Sequence, residues 1–302
     1  MTPNTGNDAG ATDRRIACPD DHSNTILQRA VNDRHLKTEI RQVLRWKSDG
    51  NTRRISDELA AEEPLEIRVD TRPVSVTMRT PGHDDELAAG FLLTEGLIRR
   101  REDITAIKAH PRSESGNVLD VFLASDLTVD FEQLTRHVFA SSSCGLCGKA
   151  TIKAVHQRFK PLRGRLAVKA STVLSLPEKM RRRQEAFERT GGLHAAAVFD
   201  RRGRMVVLRE DVGRHNAVDK VIGYGLLHRL LPFRRHILLV SGRVSFEIVQ
   251  KGLAAHIAVV CAVSAPSNLA VEFARRSRQT LIGFLRGETM NVYSHPRRIH
   301  AD

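Results

Sequence analysis

Between Ala195 and Leu285 short apolar runs alternate with amphipathic segments on brief connections, and this alternation restricts the chain to a layered α/β fold. Strands are expected at Ala195 to Phe199, Met205 to Arg209, His236 to Ser241, Ile257 to Val263 and Thr280 to Leu285. Helices are expected at Asn216 to Leu227, Ser245 to Leu253 and Asn268 to Ser277, with another at Glu178 to Arg189 ahead of the first strand. The expected fold class is α/β: a mostly parallel sheet with flanking helices in a domain of residues 161–302.

A smaller α+β unit, residues 53–160, precedes it. Leu65, Ile67 and Val69 alternate, Thr71-Arg72-Pro73 turns, and Val74, Val76 and Met78 alternate again, as a β-hairpin does. Asp84 to Ile98 opens with acidic residues, spaces its apolar residues helically and carries Gly96 near its end. A strand is expected at Asn117 to Ala124 and an amphipathic helix at Lys149 to Phe159. Residues 1–52 have little periodic apolar content and read as a mobile tail with a short helix around Ile26 to Trp46.

Charge narrows the partners. Lys plus Arg number 48 against 35 Asp plus Glu, a net charge of +13, which favours an anionic ligand. Aromatic residues make up only 5%, with no basic platform on which bases could stack, so a phosphate-rich small molecule is as good a reading as nucleic acid, and no nucleic-acid partner is expected once the motifs below are added. The start of the chain lacks the cationic and apolar regions of a secretory signal, and no apolar run reaches the length of a membrane span. A cytoplasmic protein with reduced thiols is therefore expected.

In open α/β sheets ligands gather beyond the carboxyl ends of strands, where free helix amides favour anions. Three stretches fit: Ser241-Gly242-Arg243, Ser264-Ala265-Pro266-Ser267-Asn268, and Phe284-Leu285-Arg286-Gly287-Glu288-Thr289. Small residues there admit an anion to the backbone, and Arg243 and Arg286 offer forked donors to phosphate. Ordinary helix capping explains any single one of these loops equally well. His194 and His215 lie beside glycines in turn positions and join the candidate set. Asp219 and Lys220, on the helix after His215, read equally well as solvated surface.

Ser141-Ser142-Ser143-Cys144-Gly145-Leu146-Cys147-Gly148 puts two cysteines three positions apart between glycines, in a chain with four cysteines in all. A structural zinc site needs two more ligands, while Cys18 lies in the tail and Cys261 in an apolar strand. A thioredoxin-like redox pair and a persulfide relay both remain open, and Lys149 with a following helix start would enrich thiolate for either.

These motifs together resemble the formate dehydrogenase accessory sulfurtransferase family, FdhD, over Pro64 to Pro296. The resemblance rests on Thr80-Pro81-Gly82-His83-Asp84-Asp85-Glu86-Leu87, Ser141 to Lys149, Gly191 to Ala197, Glu210 to Ala217, the two serine-led loops, and Phe284 to Pro296. It implies a carrier that takes persulfide sulfur from a cysteine desulfurase and passes it to the molybdenum (or tungsten) bis-molybdopterin guanine dinucleotide cofactor of formate dehydrogenase. It further implies Cys144 as the persulfide-forming residue, Cys147 as its partner, Phe284 to Thr289 as a cofactor-binding segment, a homodimer, and no tightly held structural metal. A cofactor-binding chaperone that transfers no sulfur is the alternative. The family is similar in fold to cytidine deaminases, but Ala196 stands where the deaminase glutamate would be, and the cysteine pair comes earlier and lacks its proline.

Overall fold

The computed structural model describes residues 37–111, 116–127, 155–156, 158–164 and 166–302. Cys144, Cys147, Cys18, the chain before residue 37 and most of the helix expected at Lys149 to Phe159 lie outside the described residues.

The first element is an antiparallel ribbon, β1 (Thr38–Trp46) with β2 (Thr52–Ala60). This corrects the short helix expected around Ile26 to Trp46. Ile40, Val43 and Leu44 fit helical spacing, yet pairing with Thr52–Ala60 makes the segment a strand, and Ile40, Leu44 and Trp46 stay exposed on it.

β3 (Glu63–Val69) and β4 (Arg72–Arg79) form the expected hairpin, with its turn at Asp70-Thr71, one residue earlier than expected. Both turn residues have positive φ, which suits a two-residue hairpin loop. The Asp70 carboxylate accepts from the Leu123 amide at 3.1 Å and ties the turn to a neighbouring strand. Pro73 sits on β4, an edge strand, where its missing N–H interrupts no ladder. α1 (Asp84–Thr94) follows, then β5 (Ile104–Ala109) and β6 (Val118–Leu123), giving a four-stranded sheet of order β4-β3-β6-β5.

A short β7 (Val168–Lys169) leads into α2 (Ala170–Leu174), α3 (Leu176–Arg181) and α4 (Glu185–Thr190); the single helix expected at Glu178 to Arg189 is thus broken at residues 182–184. The main sheet is then built from β8 (His194–Asp200) and β9 (Met205–Asp211), α5 (Arg214–Leu227), β10 (His236–Val240), α6 (Phe246–Ala254), β11 (Val259–Ala262), α7 (Asn268–Ser277), β12 (Thr280–Arg286) and β13 (Thr289–Ser294). A final β14 (Ile299–His300) pairs with β7.

The six-stranded order is β13-β12-β11-β10-β8-β9, and the sheet is mixed rather than mostly parallel. Only β10–β11 and β11–β12 are parallel; β8–β9, β8–β10 and β12–β13 are antiparallel. Connection length is the reason. Parallel neighbours need a helical crossover, which α6 and α7 supply, whereas the turns at Gly203 (φ 72°) and Gly287 (φ 56°) fold the chain straight back.

One apolar core runs through both sheets. Leu65, Ile67 and Leu87 of the first unit join Phe199, Val221, Leu239 and Phe273 of the second in one buried cluster. α1 and α5 cross at two glycines. A Cβ on Gly90 would lie 2.6 Å from the Asp219 carbonyl carbon, and one on Gly223 would lie 2.6 Å from that of Glu86. Contact this close between two backbones excludes every larger residue at the crossing. Cys261 is fully buried on β11, and burial pushes its thiol pKa well above the ordinary range, so it is inert as expected. Among the described residues no helix is long and apolar enough to cross a membrane.

Candidate functional site

The sheet has one edge where β10, β11 and β12 end. β8 runs the opposite way and begins there: Val240 of β10 pairs with Ala196, two residues into β8, and His194 at the start of β8 pairs with Asp211 at the end of β9. The candidate loops gather along this carboxyl edge. Val244 bridges to Pro266, the Val244 amide donates to Ala265 O at 3.1 Å, and the Phe284 amide donates to Ser264 O at 3.1 Å. Ser241 Oγ accepts from the Ala195 amide at 2.9 Å and pins its loop to β8. Sequence spacing alone could not show that the three loops touch.

His194 and Gly242 meet closely. A Cβ at Gly242 would lie 3.1 Å from His194 Nδ1 and 3.9 Å from Arg214 Cδ, so only glycine keeps this space open. Arg214 opens α5, and its Nε is buried without a hydrogen-bond partner among the described residues. A buried unpaired guanidinium N–H is costly, and it marks a position that an incoming acceptor would satisfy. His215, next along α5, places Nε2 3.1 Å from Ser245 Oγ, with Glu247 Oε2 3.9 Å away, which joins the starts of α5 and α6.

Capping separates the helix starts. Ser267 accepts from the Ala270 amide at 3.2 Å, so α7 is capped by its own side chain. Ser245 of α6 makes no side-chain cap, and the Glu247 carboxylate instead bonds the Ser245 hydroxyl and its own amide in the first turn. Gly213 of α5 has no side chain to cap with, which leaves first-turn amides of α5 to other acceptors. The plain capping explanation therefore holds for α7.

Phe284 to Thr289 forms the end of β12, a turn at Gly287-Glu288 and the start of β13. Phe284 is half-buried with φ 50°, and Leu285 is fully buried in the core. Arg286, Gly287, Glu288 and Thr289 are exposed, and the Arg286 guanidinium lies over the Phe284 ring at 5.7 Å from its centroid. Arg243 is exposed, and with Arg214 it bears on His194.

Both site imidazoles are neutral at pH 7. Burial, then the Arg214 guanidinium, holds His194 below the usual histidine range, although Asp211 acts against this. Burial, then Arg214 and Lys251, lowers His215 to about 4 despite Glu247. His83, the αL residue that opens α1, is lowered to about 3 by burial and then by Arg209, Lys37 and Lys220. For His83 and His215 the folded pKa lies below the unfolded value of 6.5, so from there down to about pH 4 the unfolded chain binds more protons. Their contribution to stability is full above about pH 6.5 and is lost as pH falls through that window. The urea midpoint should drop between about pH 7 and pH 5, and less so in His83→Gln; the same drop in both proteins would contradict this assignment.

Behind the edge lies a buried charged layer that the sequence reading missed. Asp211 Oδ2 is 2.7 Å from Lys220 Nζ and accepts from the Thr80 amide at 3.2 Å, while Oδ1 accepts from the Gly213 amide at 2.8 Å and Asn216 Nδ2 at 3.0 Å. Asp219 accepts from Lys251 Nζ and from Thr94 Oγ1, each at 2.8 Å. Burial would lower the Lys251 ammonium, but Asp219 and Glu95 outweigh it and raise its pKa. Asp219 and Lys220 are thus interior groups rather than solvated surface. Arg209 forks onto Glu86 at 2.6 and 2.7 Å, so Thr80, Glu86 and Thr94 all couple the first unit to the second. Arg214 and Ser245 join the site from the turn-to-helix runs Gly213-Arg214-His215 and Arg243-Val244-Ser245, whereas Glu247 carries no such sequence signal.

Comparison with known proteins gives the family and the fold. Residues 60–300 match the model of the FdhD/NarQ family. A sulfur carrier protein FdhD of Mycolicibacterium paratuberculosis is 52% identical over 248 residues, covering 80% of this chain and 91% of that protein. The one from Sulfurisphaera tokodaii is 42% identical over 265 residues, covering 86% and 99%. A crystal structure of a proposed formate dehydrogenase accessory protein from Desulfotalea psychrophila matches with a TM-score of 0.70 at 25% identity, covering 87% of this chain and 99% of that one. With a family model matching residues 60–300, which hold the four- and six-stranded sheets, this chain belongs to the FdhD/NarQ family.

Proposed function

We propose that this chain is a sulfur carrier in the maturation of formate dehydrogenase. The observation that carries the reading is the unpaired Arg214 Nε at the uncapped start of α5, beside His194 and Gly242, in a chain of this family. Such an edge suits a ligand rich in pyrophosphate. The bis-molybdopterin guanine dinucleotide cofactor, as sulfur acceptor and therefore substrate, is one.

On this reading Ser241, Gly242, Arg243, Ser264, His194, His215 and Arg214 would hold its phosphates, with Phe284 to Thr289 along one side. A cysteine desulfurase would transfer sulfane sulfur to the Cys144 thiolate, giving a Cys144 persulfide and releasing the donor's own cysteine thiolate. Attack of the Cys147 thiolate on the Cys144 sulfur would break the S–S bond, release the terminal sulfur as hydrosulfide to the acceptor and leave a Cys144–Cys147 disulfide, which a cellular thiol reductant returns to two thiols. The metal of the acceptor supplies the position that receives sulfur. His194 and His215, neutral at pH 7, would act as hydrogen-bonding groups and add no charge. A homodimer would let two such edges meet the two guanine nucleotide arms. The reading places the protein in the cytoplasm, where thiols stay reduced.

Zinc-dependent deamination fits less well, because Ala196, where that chemistry needs a glutamate, is fully buried in β8. Guanosine diphosphate is expected to raise the thermal midpoint of the full chain, since a ligand that binds only the native state stabilises it. Arg214→Ala and Arg286→Ala should each weaken that protection, by about tenfold in apparent affinity for the loss of one charged donor. Unchanged protection in both variants would remove the carboxyl edge from the nucleotide site.

A further inference from the structure

The opposite edge of the main sheet carries its own cationic cavity. His236 at the start of β10 pairs with Asp200 at the end of β8, which sets the β8–β9 turn beside the segment entering β10. Together they wall a cavity of about 350 Å³ lined by Asp200, Arg201, Arg202, Arg204, Arg235 and His236. β8 runs from one edge to the other over its seven residues, so the cavity lies roughly 20 Å from His194, at about 3.3 Å per residue.

Its charge is largely uncompensated. Arg204 donates through Nε to Asp200 Oδ2 at 2.7 Å, and Asp200 Oδ1 accepts from the Arg202 and Arg204 amides, both at 2.9 Å. The one carboxylate of the cavity is therefore spent on Arg204 and the turn itself. Arg201, Arg202 and Arg235 show no hydrogen-bond or ion-pair partner for their guanidinium groups among the described residues. Lys179 Nζ donates to Gly203 O at 2.9 Å and brings another cation to the back of the same turn. Burial keeps the His236 imidazole below its usual pKa, so it does not add to the repulsion at pH 7.

Like charges gathered on one lining repel, and an anion among them relieves that repulsion. All the lining cations are arginines, whose planar forks match phosphate oxygens in pairs. The cavity is open and lies at the small end of the range for small-molecule sites, and the side chains that line it are arginines, Asp200 and His236. A compact anion fits this lining better than a ligand with an apolar body. We propose that this arginine cavity is a second anion site, separate from the carboxyl edge, that takes a compact phosphate-bearing ligand. It does not rest on the sulfur-carrier reading, and it gives part of the chain's positive charge a role apart from that substrate.

Inorganic pyrophosphate titrated calorimetrically into the full chain at low salt tests it, with Arg202→Glu/Arg235→Glu and Arg214→Ala as the variants. The double charge reversal changes exposed side chains only and is expected to weaken one binding event by at least about tenfold. Arg214→Ala should leave that event intact. If the double reversal disturbs the melting transition, Arg202→Gln/Arg235→Gln replaces it with the same expectation. A short DNA duplex that competes for the cavity and binds more tightly than pyrophosphate would keep the phosphate chemistry and make a nucleic-acid backbone its source. An isotherm unchanged by the double variants overturns the proposal, as does a hexaglutamate peptide that outcompetes pyrophosphate.

Discussion

Asp211→Ala is expected to destabilise the protein by about 3–5 kcal/mol, the usual consequence of leaving a buried charge without its partner. Asp211 is fully buried, Lys220 is 1% exposed, and with the carboxylate gone the ammonium keeps only its 2.8 Å bond to Thr80 O. The amides of Thr80 and Gly213 and the Asn216 side chain lose an acceptor in the same change. Lys220→Met should be milder, because Asp211 would retain those three donors. The double variant Asp211→Leu/Lys220→Met should be less destabilised than the sum of its single changes, since neither charge is then stranded. Urea unfolding of the four proteins decides this; additive effects would mean that the pair does not act as a unit.

Gly223→Ala should be similarly damaging, by about 3 kcal/mol or more, because overpacking here meets backbone on the facing helix. The new methyl would press on the Glu86 carbonyl, and α1 would have to move away from α5. That movement would strain the Arg209–Glu86 fork and the Thr94–Asp219–Lys251 cluster, which lie along the same helix pair. Gly90→Ala should behave alike from the other side. Gly50→Ala is the control: its φ is 81°, but nothing lies within 4 Å of a Cβ there, so only backbone strain of about 1 kcal/mol is expected. Wild-type stability in Gly223→Ala would show that the helices can separate freely.

The alternation from Ala195 to Leu285 was legible because each strand and helix there carries its own periodicity, and α7 lies at the bounds expected from sequence. Strand direction was not legible in the same way. Whether a connection reverses the chain depends on turns such as Gly203 and Gly287, and β13 follows the second of them as a six-residue run with only Met290, Val292 and Tyr293 apolar. β1 was not legible as a strand because Ile40 and Leu44 fit the helical and the strand period alike, and only pairing with residues ten or more positions away chooses between them. The burial of Asp219 and Lys220 was beyond local reading for a related reason: Thr80 and Thr94, which help satisfy them, lie more than a hundred residues earlier. At the edge, the serine-led loops were readable as anion-type sequences. The unpaired Arg214 Nε was not, since its burial depends on the elements the fold packs against the start of α5.

The central claim is sulfur carriage on Cys144. Intact-mass analysis of the full chain after incubation with a cysteine desulfurase and cysteine tests it most directly. The account predicts one added sulfur, removed by reductant and missing from Cys144→Ala, while Arg214→Ala still loads because it alters only the acceptor side. No adduct on the wild-type protein, or an adduct of equal yield in Cys144→Ala, would contradict it.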